Sequence, residues 1–422
     1  MASIFFLIFF TVLLSSFRRG ADLLSPSRVF ILVWSFVLGL TELKLSYLQH
    51  EWSFQSWIML LIGPASFLLG IFIVTVFNLD TTMIPVEEMR VRIRLARVSE
   101  SRFFAVLGFS VALYLLSYIT IYLVKGSIPL LSGDPAAARK EFSIFGIGVF
   151  LNSFTFTLYF VLIYHILIKG KPGRKWVLKT LVFVSGGTYI LLLQRFQIVM
   201  AGVMCFSLLY YMTDKIRLKT VVGFAAGLIV LFYWISSVRT GELIQYYLYT
   251  MSRMKYSYHY AFLTEPYMYL VMNLENFARS VDKLESFTFG YYSFDFILAL
   301  TGLKHWLAGY FTIDDTPFLI SGYNTYSAFW TYYRDFGVLG VFIIPLILGI
   351  GVGRIYYSLR REPNYEHVTA YSVCMFVMVI SFFNSPIGFL WFIYNIAMMV
   401  LILKAIRLPK RHLSGRIPDY AT

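Results

Sequence analysis

The chain has 422 residues, of which 59% are apolar and 19% aromatic, and its mean hydropathy is +0.71. This composition excludes a soluble globular protein, and long apolar stretches favour membrane-spanning helices over a β-barrel, whose strands alternate over about ten residues. The net charge of +14 falls in short clusters between apolar stretches, which indicates membrane topology rather than nucleic-acid binding. The two cysteines, Cys205 and Cys374, both lie in apolar stretches, so no disulfide framework is expected.

The hydropathy pattern predicts an all-α polytopic membrane protein with about eleven transmembrane helices, forming a single integral membrane domain over 1–422. The predicted spans are 3–17, 29–48, 57–78, 103–124, 143–168, 178–194, 196–213, 220–238, 336–357, 368–385 and 387–405. Residues 3–17 are similar to a signal peptide, but arginines follow the apolar stretch instead of preceding it. We therefore interpret this stretch as a first span with its N-terminus outside, which places the C-terminus inside.

The distribution of basic residues favours this orientation. The segments predicted to lie inside carry 24 of the 36 Lys and Arg residues. Such an excess is typical of cytoplasmic loops. One of these segments, 85–102, is predicted to form a short basic helix that contacts lipid headgroups.

An outer loop with the sequence GSIPLLSGDPAAARKEF follows the fourth span, at 126–142. A short helix is predicted to begin after Asp134, which is a favourable N-cap residue, and to carry Arg139 and Lys140. This loop is either an anion site or a plain re-entrant connection.

Residues 180–212 are almost continuously apolar and would measure about 50 Å as one helix, too long for a single span. We predict a tight helical hairpin with Arg195 recessed at its outer tip. A membrane-embedded arginine is a functional candidate by default, although a structural ion pair is the alternative. Arg239, at the end of the next span, is expected at the same outer level, where it binds an anion or snorkels to the headgroups.

The interval 239–335 is the longest one without a predicted span, and it is interpreted as a large, partly helical outer loop. Fifteen of the 31 tyrosines lie between Tyr246 and Tyr333. Aromatic rings mixed with guanidinium groups suit an amphiphilic ligand with sugar rings and phosphates, whereas an amphipathic loop on the lipid headgroups is the alternative. At the end of the loop, Arg334 and Asp335 are either an exposed ion pair or an anion ligand beside a base.

The span that follows the loop contains Pro345 and three closely spaced glycines. These are Gly349, Gly351 and Gly353. Small residues at such spacing predict that a neighbouring helix approaches closely.

Three separated motifs can now be compared with known families. They are Gly126-x-Ile128-Pro129-Leu130-Leu131 with Asp134 and Arg139, the Arg195 hairpin, and Asn324-Thr325-Tyr326 leading to Arg334-Asp335-Phe336-Gly337-x-x-Gly340. Together they resemble the bacterial oligosaccharide repeat-unit polymerases, also called O-antigen polymerases. The resemblance covers roughly residues 100–390.

The resemblance implies a lipid-linked glycosyl transfer at the periplasmic face of the bacterial inner membrane. A growing glycan on undecaprenyl diphosphate would be the donor, and a fresh lipid-linked repeat unit would supply the acceptor hydroxyl. A diphosphate is already a good leaving group, so such a site needs cations to hold it more than it needs a strong acid. Membrane lipids and a chain-length regulator protein are the further partners implied; nucleic acid is not.

The resemblance and the residue types together suggest a set of site residues. Guanidinium groups bind phosphate bidentately, and a carboxylate or histidine would serve as base. We expect the diphosphate at Arg195, Arg239, Arg139 and Arg334, the base at Asp335 or His305, and sugar contacts at Tyr323, Asn324, Tyr326 and Trp330.

No cofactor is expected, and no metal either, because there is no Asp-x-Asp motif and Asp314-Asp315 has no nearby histidine. The alternatives are a polytopic flippase of lipid-linked oligosaccharide and an O-antigen ligase. A transporter favours pseudo-symmetric halves, which this sequence lacks. A ligase shares the donor and differs in its acceptor.

The orientation can be tested with cysteines introduced at Ser286 and Ser414. An impermeant thiol reagent on spheroplasts should label Ser286→Cys and leave Ser414→Cys unlabelled until the membrane is broken. Labelling of position 414 alone would reverse the orientation and remove the periplasmic site with it.

Overall fold

The computed structural model describes residues 1–18, 20–95, 97–214, 216, 218–240, 244–307 and 318–408. These residues form α-helices, short 3-10 turns and two isolated β-bridges. The helices are α1 (Ala2–Ser15), α2 (Pro26–Thr41), α3 (Phe54–Val76), α4 (Val86–Arg94), α5 (Glu100–Lys125), α6 (Pro135–Glu141), α7 (Ser153–Leu167), α8 (Pro172–Ile190), α9 (Phe196–Met212), α10 (Leu218–Thr240), α11 (Ile244–Met251), α12 (Thr264–Lys283), α13 (Asp295–Thr301), α14 (Leu303–Leu307), α15 (Ala328–Arg361), α16 (Tyr365–Ile380) and α17 (Leu390–Ile406).

The fold is that of an all-α membrane protein. In the described part of the chain, four helical segments are long and apolar enough to cross a membrane: Phe54–Val76, Glu100–Leu131, Gly148–Leu167 and Ala328–Arg361. Each of the eleven predicted spans overlaps one helix. Length and composition qualify four of these helices, so the number of spans and their orientation stay predictions.

Several local predictions are confirmed. The chain turns between α8 and α9, at 191–195, because one uninterrupted helix would be too long for the bundle. The short helix α6 begins after Asp134, whose carboxylate accepts hydrogen bonds from the N–H groups of Ala136 and Ala137 at 3.1 and 3.0 Å. The predicted basic helix is α4, Val86–Arg94.

Several predicted boundaries differ from the observed ones. The span predicted over 29–48 ends at Thr41, because the chain beyond it bonds to the outer loop: the N–H of Tyr47 donates to the Arg253 carbonyl at 3.0 Å. The span predicted over 143–168 becomes regular helix at Ser153. The span predicted from 336 begins close to the break at Gly337, and a further helical piece from Ala328 precedes this break.

Helices α3 and α15 touch backbone to backbone. A Cβ added at Gly349 would overlap the carbonyl of Phe67, and one added at Gly70 would overlap that of Leu346. Gly353 packs one turn further along, against Val74. The prediction of a close approach at the glycine series is therefore confirmed for two of its three members, because Gly351 faces open space.

A buried carboxylate closes one end of the helix bundle. Asp22 accepts hydrogen bonds from the hydroxyl groups of Tyr211 and Tyr356 at 3.1 and 2.9 Å, and its Oδ2 lies 3.0 Å from Nη1 of Arg360. These donors come from α9 and α15. We call these four residues the Asp22 cluster; with several donors its carboxylate is satisfied, which is the requirement for a buried charge.

The Asp22 cluster also shows which ends of the helices lie together. Tyr211 is near the end of α9, so Arg195, which precedes that helix, lies roughly 24 Å away along its axis. Arg360 is at the end of α15, and Arg334 lies near the beginning of the same helix. Arg195 and Arg334 are therefore at the same end of the bundle, opposite the Asp22 cluster.

Alanine substitutions at Gly349 and Gly351 should distinguish a glycine that contacts α3 from a glycine that only lies in α15. Gly349→Ala should lower the melting temperature in detergent, because the new methyl group pushes α3 and α15 apart, at a cost of about 1–3 kcal/mol. Gly351→Ala is the matched control, and it should leave the melting temperature unchanged or slightly raised. Equal melting temperatures for the two variants would contradict the observed contact.

Candidate functional site

The first motif packs against the turn that carries Arg195. The N–H of Leu130 donates to the carbonyl of Leu191 at 3.0 Å, and Ile128 joins a hydrophobic cluster around Tyr189 and Leu192. Gly126, with a φ of 72°, ends α5 in the left-handed conformation and redirects the chain toward this turn. Two of the three motifs, separate in sequence, are thus in direct contact.

Arg195 is buried in this turn, with 10% of its side chain exposed. Its Nη1 lies 3.2 Å from Oε1 of Glu265, in the first turn of α12, and donates to the Tyr269 hydroxyl at 2.6 Å. Its Nη2 donates to the hydroxyl of Ser236 on α10, which in turn donates to Glu265. The guanidinium also lies over the Tyr269 ring, 5.4 Å from its centroid. Arg195 therefore joins the turn to α10 and α12.

Arg139, on α6, brings a second guanidinium to Arg195. Burial, and then the positive charge of Arg195, lower the pKa of Arg139 from its ordinary value. The buried Nε of Arg139 has no hydrogen-bond partner among the residues that the structure describes. We call Arg139 and Arg195 the arginine pair. Two guanidinium groups near the Glu265 carboxylate, among the side chains that the structure describes here, suit an anion.

The structure describes two further predicted residues through their backbones alone. Arg239 lies on α10, one helical turn beyond Ser236, so its position is near the arginine pair. His305 lies on the short helix α14. Their side chains are outside the described part of the structure, and so are Asp314 and Asp315.

Asp335 lies at a break in α15 and is buried completely. Its carboxylate accepts hydrogen bonds from the hydroxyl of Thr288 at 2.5 Å and from the N–H groups of Tyr292 and Ser293 at 3.2 and 2.6 Å. Gly337, with a φ of 62° and a ψ of −144°, forms the break. Three donors hold the carboxylate in place, which favours a structural role for Asp335 over that of a base.

The break in α15 also leaves two backbone carbonyls free to accept hydrogen bonds from the segment 286–293. The carbonyl of Arg334 accepts from the Thr288 N–H at 3.0 Å, and that of Asp335 accepts from the Phe289 N–H at 3.1 Å. The Arg334 guanidinium donates to the Ser286 carbonyl at 2.5 Å. The Arg334-Asp335-Phe336-Gly337 motif therefore anchors the segment 286–293.

Helix α12 separates this motif from the arginine pair. Its first turn holds Glu265 against Arg195, whereas Phe277 packs against Tyr333 with ring centroids 5.8 Å apart. The intervening helix measures about 18 Å. The structure therefore places Arg139 within electrostatic range of Arg195, whereas the motif of Arg334 and Asp335 contacts α12 at its other end.

The predicted sugar-binding residues divide into two groups. Tyr326 and Trp330 are buried and stacked on each other, with centroids 3.9 Å apart and planes 5° from parallel. Asn324 is exposed, and Tyr323 is half-buried, with its hydroxyl 2.6 Å from that of Ser252. The backbone of this loop is held by α12, because the side-chain amide of Asn276 donates to the Tyr323 carbonyl at 3.1 Å. Asn324 and Tyr323 remain accessible to a ligand.

Sequence reasoning did not identify Glu265, Tyr269 or Ser236. Glu265 and Tyr269 are spaced by four residues, so they lie on one face of α12. The signal that could have found Glu265 is its position in an amphipathic stretch whose buried face is otherwise apolar or uncharged at that end.

Comparisons with protein-family models, with curated proteins and with solved structures find no significant match to this chain. The described residues contain no group of three or more His, Cys, Asp or Glu side chains that could hold a metal ion. Functional inference therefore depends on the motifs and on the site geometry.

The structural role of Asp335 predicts how its amide variant behaves. Asp335→Asn would turn an NH2 group toward backbone N–H donors, so we expect a loss of stability of about 1–3 kcal/mol and faster proteolysis of the segment 286–293. Thr288→Val removes one donor and should have a smaller effect in the same direction. An Asp335→Asn protein as stable as wild type and devoid of activity would instead support Asp335 as the base.

Proposed function

We propose that this protein polymerises lipid-linked oligosaccharide repeat units, transferring a growing glycan from undecaprenyl diphosphate to the hydroxyl of a second lipid-linked unit. The arginine pair would hold the diphosphate of the donor. The motifs that resemble the O-antigen polymerases support the reaction, and the geometry of two of these motifs supports the position of the donor group.

The observation that carries the proposal is the convergence of Arg139 and Arg195. Two like charges in a partly buried region repel each other, and removing them from water adds a further cost. A protein keeps such an arrangement where an anion binds, because a diphosphate offers several oxygens to two planar guanidinium groups. Developing charge on the leaving group would be stabilised by the same two groups.

Tyrosines beside the arginine pair would contact the sugars. Tyr269 touches Arg195 and is 39% exposed, so part of its ring is accessible. Tyr323 and Asn324 lie alongside the same helix, α12. Aromatic rings with a polar edge suit sugar rings, which present both C–H faces and hydroxyl groups.

The proposal includes the predicted topology. Eleven spans with the N-terminus outside would place the arginine pair at the periplasmic side of the bacterial inner membrane, and the Asp22 cluster at the cytoplasmic side. The positions of Arg195 and Tyr211 at opposite ends of α9 support such an arrangement.

Purified protein in detergent, given a lipid-linked repeat unit, should produce a ladder of longer lipid-linked glycans. Transfer of single units to a different acceptor would favour the ligase. No reaction, combined with movement of the lipid-linked oligosaccharide across a liposome membrane, would favour the flippase.

Arg139→Ala is the sharpest test of the arginine pair. Arg195→Ala would remove an ion-pair partner of the buried Glu265, which threatens folding. Removal of Arg139 instead relieves a charge repulsion. We expect Arg139→Ala to accumulate normally and to lose polymerisation by about 10- to 100-fold, since a hydrogen bond to a charged group contributes about 1.5–3 kcal/mol. The measurement is the rate of ladder formation beside protein abundance in membranes.

Lys140→Ala is the matched control, because Lys140 is the exposed neighbour on the same short helix. It should polymerise at the wild-type rate. Arg195→Lys keeps the positive charge but loses the bidentate geometry of the guanidinium. This variant should fold normally and polymerise poorly. Wild-type chain lengths from well-expressed Arg139→Ala would remove the arginine pair from the donor site.

A further inference from the structure

The arginine pair is accompanied by a carboxylate that no motif includes. Glu265 is 6% exposed, and it contacts Arg195 and the hydroxyl of Ser236. It lies at the first turn of α12, four residues before Tyr269, which opens toward the surface. In the structure, the Glu265 carboxylate contacts the Arg195 guanidinium. In the proposed function, the diphosphate of the donor would bind at this same guanidinium.

We propose that Glu265 is the general base of the transfer, and that the lipid diphosphate frees it by replacing it at Arg195. This inference rests on the proposed function. A diphosphate carries more negative charge than a carboxylate and reaches both guanidinium groups, so it competes well for Arg195. A buried carboxylate that loses an ion pair becomes a stronger base, because its charged form is less stabilised.

The reaction balances with these groups alone. The acceptor oxygen forms a bond to the anomeric carbon of the donor sugar while the bond from that carbon to the phosphate oxygen breaks. The hydroxyl proton moves to the Glu265 carboxylate, and undecaprenyl diphosphate leaves with the bonding electron pair. Arg139 and Arg195 compensate the charge on the leaving diphosphate, and Glu265 returns its proton to water before the next cycle.

The geometry favours Glu265 over the carboxylate predicted from the sequence. Asp335 is held by three donors. Its neighbour Tyr333 packs on α12 at Phe277, about three helical turns beyond Glu265. Glu265 instead contacts a group that a substrate can occupy, so substrate binding would change its environment. Glu265 would therefore become available as a base when the donor diphosphate is bound at Arg195.

The same helix provides a matched control. Glu275 is also a buried glutamate of α12, 3% exposed, and the N–H of His50 lies 3.5 Å from its Oε2. Burial raises the pKa of Glu275 to about 7, although the nearby Trp52 indole and His50 N–H oppose this shift. Glutamine therefore mimics the protonated state that Glu275 already populates, and Glu275→Gln should be well tolerated.

The experiment compares Glu265→Gln with Glu275→Gln in two assays on detergent-purified full-length protein. One assay measures binding of undecaprenyl diphosphate by the shift in melting temperature, and the other measures ladder formation from the lipid-linked repeat unit. For Glu265→Gln we expect binding equal to or tighter than wild type, because a competing charge is gone, and polymerisation lowered about 100-fold or more. Glu275→Gln should match wild type in both assays.

Other outcomes would overturn the inference. Wild-type polymerisation by Glu265→Gln would remove Glu265 from the chemistry, and a parallel loss of binding and rate would make it a structural counter-ion. Where Glu265→Gln does not accumulate, Glu265→Asp keeps the charge and withdraws the carboxylate by one methylene, so it should bind undecaprenyl diphosphate and polymerise slowly; a wild-type rate would contradict the inference. An active wild type distinguishes these failures from failure of the proposed function, in which wild type itself makes no ladder.

Discussion

The cost of burying charge in an apolar bundle is the constraint on which this structure depends. With 59% apolar residues, the chain offers little water to a charge in its interior, so a buried ion needs a partner. Asp22 meets Arg360 at one end, and Arg195 meets Glu265 at the other. Both pairs join segments that are distant in sequence. Removal of one partner would destabilise the fold by about 3–5 kcal/mol, because a charge would be buried without that partner. The pairs therefore help to fix how the helices assemble.

Helix α15 links these ends to the large loop. Its glycines let α3 touch it backbone to backbone, which fixes its position along the bundle. Its break at Gly337 then releases two carbonyls and exposes the Asp335 carboxylate to the segment 286–293. Because α15 is fixed against α3 and offers hydrogen-bonding groups at its break, it can hold the segment 286–293 in place.

The sequence predicts features that depend on neighbouring residues, such as turns and helix caps. It does not predict which side chains pair between distant segments. The turn before α9 followed from a length limit on spans, and α6 followed from the capping preference of Asp134. The partner of Arg195 could not be derived, because contact between the turn and α12 depends on how helices pack. The partners of Arg334 and Asp335 could not be derived either, because the sequence does not show that these residues bond to backbone groups of the distant segment 286–293.

Arg139 differs from the charges just considered, because the positive charge of Arg195 lowers its pKa. Its helix has seven residues, too few to be stable alone, yet an N-cap at Asp134 and the packed motif before it hold it in place. The Asp134 cap and the packing of the first motif thus hold Arg139 near Arg195 despite the repulsion between their charges. An anion entering between the two guanidinium groups converts that repulsion into attraction, so part of the folding energy invested in α6 is recovered as affinity for the ligand. Such a relation between stability and binding would suit the proposed donor site for a diphosphate.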